Sequence, residues 1–497
     1  MTLVNTASDA NITATAAAER HPAALPVLFF TEMWERFSYY GMRALLVLYL
    51  VNAVGYTRTS ALALYATYTS LVYFSPLIGG YLADRYLGRR KAILIGGITM
   101  ALGHFCMAFE PLLHLSLGLL IIGNGFFKPN ISTLLGSLYR ENDPRRDGGF
   151  TIFYMGVNLG AFLAPFVAGT LGEKVGWHYG FASAGVGMCL GIAQFLWGQH
   201  KLGTAGLPAG KSKLDGSDWM HILLIAFGMI PLVFAILGVW GLIGPTWSSL
   251  PIVAKLAIVA GIIAALWFGS KAKNGDKAKV AEPLTRDEWH RIIAILIMGF
   301  FVVFFWMGFE QAGGTMNLFA DKQTDRHLGN WEIPASYFQA INPMGIVLMG
   351  PILAMIWTRL DQSRFKLPAP AKMGLGMIIL GLGFIVLAIA QTEADTVGKV
   401  GPQWLFFVYL LHTIGELCLS PVGLSMVTKL APARVAAMMM GIWYLANALA
   451  NYLAGTLEEL LKGSSFPLYG FLVASSIGAG TVLLVISPLI KKLMHGR

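Results

Sequence analysis

The stretch Thr31–Arg43, TEMWERFSYYGMR, places two glutamates and two arginines inside a segment that is otherwise apolar enough to cross a membrane. On an α-helix, its charged residues and two tyrosines fall within one arc of about 140°: Glu32, Glu35, Arg36, Tyr39, Tyr40 and Arg43. A charge at the centre of a bilayer costs about 2.5–3.5 kcal/mol on insertion scales, so such residues face a bundle interior or a water-filled cavity. The stretch therefore predicts a membrane helix that lines a path for a solute or a proton.

The composition of the whole chain agrees with a membrane protein. Of its 497 residues, 56% are hydrophobic and 12% are charged, whereas soluble globular proteins have about 25% charged residues. The net charge of +10 accompanies repeated apolar runs of about 20 residues, so it indicates membrane topology rather than nucleic-acid binding. The three cysteines lie in apolar runs without a CxxC pair, which argues against a disulfide framework.

Fourteen apolar segments are long enough to span a membrane. Six lie in the first part of the chain, at about 24–52, 60–83, 92–110, 112–138, 150–172 and 177–198. Two more follow at about 219–243 and 248–270, and six lie beyond them, at about 292–320, 333–357, 372–391, 402–428, 435–457 and 467–490. We predict an all-α polytopic protein with a polar tail (1–23), a six-helix bundle (24–199), a linker with two extra helices (200–291), a second six-helix bundle (292–490) and a cytoplasmic tail (491–497).

The distribution of lysine and arginine predicts the orientation of the chain. With the N-terminus inside, the inner segments carry 26 of these residues and the outer loops carry 6. Cytoplasmic loops hold the excess of positive charge in membrane proteins. Both termini are therefore predicted to be cytoplasmic.

Seven charged residues lie well inside the predicted core spans: Glu32, Glu35, Arg36, Arg43, Lys128, Glu310 and Glu416. When the two extra helices are left out of the numbering, these charges fall on helices 1, 4, 7 and 10. A period of three predicts four three-helix repeats in two halves, with the first helix of each repeat lining a central cavity.

Four motifs in the chain resemble those of known families. The loop GYLADRYLGRRK, residues 80–91, resembles the loop motif of the major facilitator superfamily, which implies 12 core helices in two bundles. The pattern Glu32-x-x-Glu35-Arg36 with the following Phe-x-Tyr-Tyr resembles the first helix of the proton-dependent oligopeptide transporters, bacterial type. Two further motifs resemble signatures of that family on helices 5 and 10: Phe153, Tyr154, Asn158 and Gly160, then Gly415, Glu416, Ser420, Pro421 and Gly423.

The candidate binding residues suit a free peptide, which is a zwitterion. Arg36 and Lys128 can hold a carboxylate, and Glu416 can hold an ammonium group across the cavity. Asn158 and Asn342 can both donate to and accept from peptide amides. The other candidate substrate-binding residues are aromatic walls, for which lipid-facing or core packing is the alternative, and one hydroxyl: Tyr40, Tyr73, Tyr154, Trp306, Trp443 and Ser420.

The resemblance also implies how protons are coupled. Burial raises the pKa of a carboxyl and a nearby cation lowers it, so Glu32, Glu35 and Glu310 are candidates. In the family, the first two couple protonation to Arg36, while Arg43 and Glu310 form an ion pair that closes the outer gate. We expect Lys128 and Glu416 to be able to form an equivalent pair. The second span contains no histidine, which leaves the coupling to the glutamates.

We therefore expect a proton-coupled symporter that imports di- and tripeptides by alternating access, in a bacterial inner membrane and as a monomer. Protons are the coupling ion, no cofactor or metal is expected, and no enzyme chemistry is proposed. The alternatives are a non-transporting peptide sensor on the same fold, or a relative that carries drugs or small anions. The pair of Glu416 and Lys128 argues against a pure anion site, because a small anion has no ammonium end.

Overall fold

The computed structural model describes residues 20–140, 143, 145–207, 284–364, 366–432, 435–464 and 466–494. The helices of the N-terminal half are α1 Leu25–Asn52, α2 Arg58–Leu82, α3 Arg89–Cys106, α4 Leu113–Gly136, α5 Arg146–Ala164 and α6 Trp177–Gly198. The long helices of the C-terminal half are α7 Arg286–Phe309, α8 Ile341–Asp361, α9 Ala369–Val397, α10 Gln403–Leu430, α11 Ala436–Leu460 and α12 Leu468–Leu493. The predicted extra helices at 219–243 and 248–270 lie outside the described residues.

The segment between α7 and α8 is more irregular than the sequence predicts. A 3-10 turn, Glu310–Gly313, interrupts the predicted seventh span, and a short helix, Thr315–Lys322, continues it. A small hairpin follows, in which β1 His327–Leu328 pairs antiparallel with β2 Trp331–Glu332. Gly329 adopts a φ of 64° in the two-residue turn, which matches the Gly/Asn preference of tight hairpin turns. A second 3-10 segment, Ala335–Ala340, leads into α8.

The long helices have the composition of membrane spans. Within the described residues, 9 helices are long and apolar enough to cross a membrane. α1 is not among them, because its four charged residues exceed what such a span carries. Those charges are buried between helices rather than turned to lipid, since Glu35 is fully buried and Arg36 is 4% exposed. The predicted all-α membrane fold is confirmed.

Two helix pairs join the halves: α2 packs on α11, and α5 packs on α8. Within each half, α1 packs on α5 and α6, α3 packs on α4, and α9 packs on α10 and α12. The two joining pairs occupy equivalent positions in their halves, as the second helix of each three-helix repeat. The halves therefore meet along two seams that enclose a central space.

Glycine sets the distance between α1 and α5. A Cβ at Gly160 would overlap the carbonyl oxygen of Met33 and would lie 2.9 Å from the backbone nitrogen of Phe37. Only a glycine allows the two backbones to approach this closely. The glycine of the Phe-Tyr-x-x-x-Asn-x-Gly motif thus allows α5 to pack closely on the charged helix, while Asn158, two residues earlier, lies on the cavity wall.

Gly160→Ala should destabilise the protein by about 1–3 kcal/mol, because the added methyl group overpacks the α1–α5 contact. The matched control is Gly299→Ala in α7, where an added Cβ meets nothing within 4 Å. That control should be neutral or stabilising, since alanine is the better helix former by about 1 kcal/mol. Thermal unfolding in detergent measures both variants, and equal midpoints would contradict the close-packing role.

Candidate functional site

A cavity of about 360 Å³ lies between the two halves. Its walls come from α1, α2, α4 and α5 on one side and from α7, α8, α10 and α11 on the other. The prediction that helices 1, 4, 7 and 10 line a cavity is confirmed. The second helix of each repeat also contributes, which the positions of the charges alone did not indicate. The volume lies within the range of about 300–1,000 Å³ that is usual for small-molecule sites.

Most of the predicted site residues line this cavity: Tyr40, Arg43, Tyr73, Lys128, Tyr154, Asn158, Trp306, Glu310, Asn342, Glu416, Ser420 and Trp443. Glu32, Glu35 and Arg36 lie behind the wall, and both acids are buried against the arginine. The sequence placed Arg36 in direct contact with substrate. In this conformation its guanidinium is held by glutamates instead.

The charged face of α1 forms a compact buried cluster. The Nε of Arg36 donates to Glu35, and it lies 3.1 Å from Oε1 of Glu32. The guanidinium carbon is 5.3 Å from the centre of the Tyr39 ring. On α4, Nδ2 of Asn124 lies 3.4 Å from Oε1 of Glu35. Two acids thus share one arginine in a region from which water is excluded.

An ion pair closes one end of the cavity. Arg43 on α1 donates through Nη2 to Glu310, at the break in α7, as the family resemblance implies. The Nε of Arg43 also donates to the hydroxyl of Tyr65 on α2, at 2.6 Å. A Cβ at Gly313 would overlap that hydroxyl and would lie 3.1 Å from the Nε of Arg43. Gly313, at the break after α7, therefore leaves room for the contact between Arg43, Glu310 and Tyr65.

Three further ion pairs join the halves at the same end of the bundle, where α1, α5, α7 and α11 finish. They are Arg58–Glu458 at 2.9 Å, Lys174–Glu332 at 2.9 Å and Arg326–Glu173 at 3.9 Å.

Glu173, which follows α5, makes the most buried of these contacts. Its carboxylate accepts hydrogen bonds from the backbone N–H groups of Ala335 and Ser336, at 2.6 and 3.0 Å. It thereby caps the 3-10 segment of the opposite half. This end of the cavity is closed by contacts that cross between the halves.

The cavity carries opposite charges on opposite walls. Lys128 lies on the N-terminal half, with its Nζ 4.5 Å from the centre of the Tyr73 ring. Glu416 lies on the C-terminal half and accepts a hydrogen bond from Asn342 at 2.8 Å, and Asn342 also donates to Thr413 at 3.2 Å. The ion pair predicted between Lys128 and Glu416 is not formed among the contacts of the described residues. Each charge is held by neighbours of its own half.

Sequence reasoning missed one residue of the Arg43 contact and several residues of the cavity wall. Tyr65 was one of several tyrosines on α2, and only its contact with Arg43 distinguishes it. Gln339 and Asn447 lie on the wall, and Nε2 of Gln339 is buried without a hydrogen-bond partner among the described residues. His412 on α10 was not among the predicted site residues. It lies on the wall with its ring 4.7 Å from the centre of the Phe384 ring.

Comparison with known proteins agrees with this architecture. The chain is 38% identical over 495 residues to "Uncharacterized transporter YclF" of Bacillus subtilis, covering 96% of each chain. It is 31% identical over 493 residues to "Di-/tripeptide transporter" of Lactococcus lactis subsp. cremoris, covering 95% of this chain and 96% of that protein. The crystal structure of "peptide transporter POT in complex with sulfate" has a TM-score of 0.80 and 36% identity, covering 97% of this chain and 99% of that one.

The family model described as "POT family" matches residues 90–229 and 232–472. This agreement extends to both halves of the chain and includes the cavity-lining segments of α4, α5, α7, α8, α10 and α11. The chain is a multi-pass membrane protein that belongs to the POT family, the proton-dependent oligopeptide transporters with the major facilitator fold.

Proposed function

We propose that this transporter imports di- and tripeptides together with protons by alternating access. The observation that carries the proposal is the placement of Lys128 and Glu416 on opposite walls of one cavity between two separable halves. A short peptide carries a carboxylate at one end and an ammonium group at the other. Such a cavity selects for the two ends of the substrate and leaves its side chains less constrained.

The amides of the cavity suit the middle of a peptide. Asn342 already donates to Glu416, and it can turn one hydrogen bond toward a substrate amide without leaving that carboxylate unpaired. Ser420 has a buried hydroxyl oxygen without a partner among the described residues, one helical turn beyond Glu416. Tyr40, Tyr154 and Trp443 supply amphipathic walls that accept side chains of different size.

Proton coupling in this proposal belongs to the buried cluster on α1. An ionised Glu35 and an ionised Glu32 compete for Arg36, and protonation of one acid releases part of its hold on the guanidinium. The freed arginine can then turn toward the substrate carboxylate near Lys128, which is the role that the sequence assigns to it. Binding of the peptide and binding of the proton would thus support each other.

Uptake by proteoliposomes tests the function directly. With an acidic exterior, the reconstituted protein should concentrate labelled dialanine, and a protonophore should abolish the accumulation. A peptide sensor would bind dialanine without accumulating it. A carrier of small anions would accumulate nitrate but not dialanine, and either result would overturn the proposal.

Glu310→Gln should weaken the closed gate, because it removes the carboxylate that holds Arg43. Breaking a buried ion pair costs about 3–5 kcal/mol, so we expect at least a tenfold faster reaction of an impermeant maleimide with a cysteine at Ala161, added from outside in a cysteine-free background. Tyr65→Phe keeps the ion pair and should have a smaller effect. Glu393→Gln, which changes an exposed carboxyl on α9, is the control. Unchanged labelling in Glu310→Gln would exclude the gate role.

The remaining parts of the proposal concern the cellular setting. We propose a bacterial cytoplasmic membrane with both termini on the cytoplasmic side, which follows from the excess of lysine and arginine on the inner segments. We also propose a functional monomer, because one chain supplies every wall of the cavity. Protons act as the coupling ion, without a cofactor.

A further inference from the structure

Asn124 is a buried polar residue that the proposed mechanism does not yet use. It lies on α4 one turn before Lys128, so both side chains point toward the charged face of α1. Its side chain is 1% exposed and does not line the cavity. Its Nδ2 lies 3.4 Å from Oε1 of Glu35, while its Oδ1 is buried without a hydrogen-bond partner among the described residues.

We propose that Asn124 is a positioning residue for proton exchange at Glu35, because its amide can satisfy that carboxyl in both protonation states. An ionised carboxylate accepts a hydrogen bond from Nδ2, which is the arrangement in the structure. A protonated carboxyl has an O–H to donate, and Oδ1 is the free acceptor within the same side chain. Turning the amide about its terminal bond exchanges the two arrangements.

The two cations around Glu35 cannot serve both states. Glu32 and Arg36 face it from α1, Lys128 faces it from α4, and Tyr68 on α2 is also near. An arginine or a protonated lysine only donates, so it favours the ionised carboxylate alone. A buried O–H left without an acceptor costs about 1–3 kcal/mol, and Asn124 removes that penalty. The amide can therefore accompany both the uptake and the loss of a proton at Glu35.

The inference rests on the proposed proton-coupled function, and the test separates the two. Driven uptake of dialanine is measured over a range of external pH for the wild type, Asn124→Leu and Asn124→Asp. Asn124→Leu removes a hydrogen bond from each protonation state, and the bond to the ionised carboxylate is the stronger one because it is charge-assisted, so the proton is retained to higher pH. The pH of half-maximal uptake should rise by about one unit, while peptide exchange at equal concentrations stays within about twofold of the wild type. Asn124→Asp, which is nearly isosteric, should move the curve in the same direction through like charge.

Asn130→Leu is the matched control for the loss of a buried amide on α4. Asn130 is 2% exposed, but its Nδ2 bonds to the backbone carbonyl of Phe126 at 2.7 Å. This variant should change the amount of uptake and leave the pH of half-maximal uptake unchanged. If both Asn124 variants reach half-maximal uptake at the same pH as the wild type, the role of Asn124 is refuted. If the wild type itself shows no gradient-driven accumulation, the proposed function fails instead.

Discussion

Glu35→Gln should abolish uptake of dialanine against a concentration gradient and preserve exchange at equal concentrations. Glu35 is fully buried, and one of its oxygens bonds to Arg36. A carboxamide of the same shape cannot take up a proton, so the variant loses the carboxyl to which we assign the coupling proton. Glu32 remains as a partner for Arg36, at 3.1 Å, so the helix keeps a charge-balanced pair and the carrier can still cycle with bound peptide.

The measurement compares counterflow with proton-driven uptake in the same proteoliposomes. We expect driven uptake to fall at least about a hundredfold, which corresponds to about 2.7 kcal/mol, while counterflow changes less than about threefold. Glu459→Gln is the control, because that carboxyl is exposed and pairs only loosely with Lys462, at 3.7 Å. Driven uptake that survives in Glu35→Gln would assign the coupling proton to another carboxyl.

Lys128→Ala should weaken the binding of free peptides much more than the binding of C-terminally amidated peptides. The ammonium group lies on the cavity wall, and its nearest aromatic contact is the ring of Tyr73 at 4.5 Å. Hydrogen bonds to charged groups contribute about 1.5–3 kcal/mol, so the affinity for dialanine should fall by about 10- to 100-fold. An amidated peptide has no carboxylate to lose.

Competition against labelled dialanine measures both ligands in one assay. Lys462→Ala removes a lysine that is exposed and distant from the cavity, and it should leave both affinities unchanged. Equal losses for the free and the amidated peptide would mean that Lys128 supports the cavity without binding the substrate carboxylate.

The sequence predicted the fold because charges inside apolar spans have few permitted positions. Glu310 and Glu416 had to face a common interior, and the period of three identified four of the eight helices that surround it. Aromatic residues carry no such constraint. Tyr65 and Tyr73 both lie on α2 and differ only in what they contact, so their separate roles required the structure.

The conformational state is the other feature that the sequence could not provide. The residue types allow Lys128 to pair with Glu416, but they do not determine whether the two meet, and in the structure each is held within its own half. The sequence also could not determine which partner Arg36 contacts, because its side chain is long enough for either the glutamates or the cavity. The break at Gly313 was missed for a different reason: a glycine pair inside a membrane helix is common, and the apolar residues on both sides of it continue the pattern of one span.

The cap that Glu173 places on the 3-10 segment Ala335–Ala340 makes separation of the halves at that end costly. There, two backbone N–H groups would exchange a carboxylate for water, at a net cost of about 1.5–3 kcal/mol for each hydrogen bond to a charged group. In the proposed alternating-access cycle, opening this end without substrate is therefore an uphill step. Its cost is set by residues that lie far from the binding cavity.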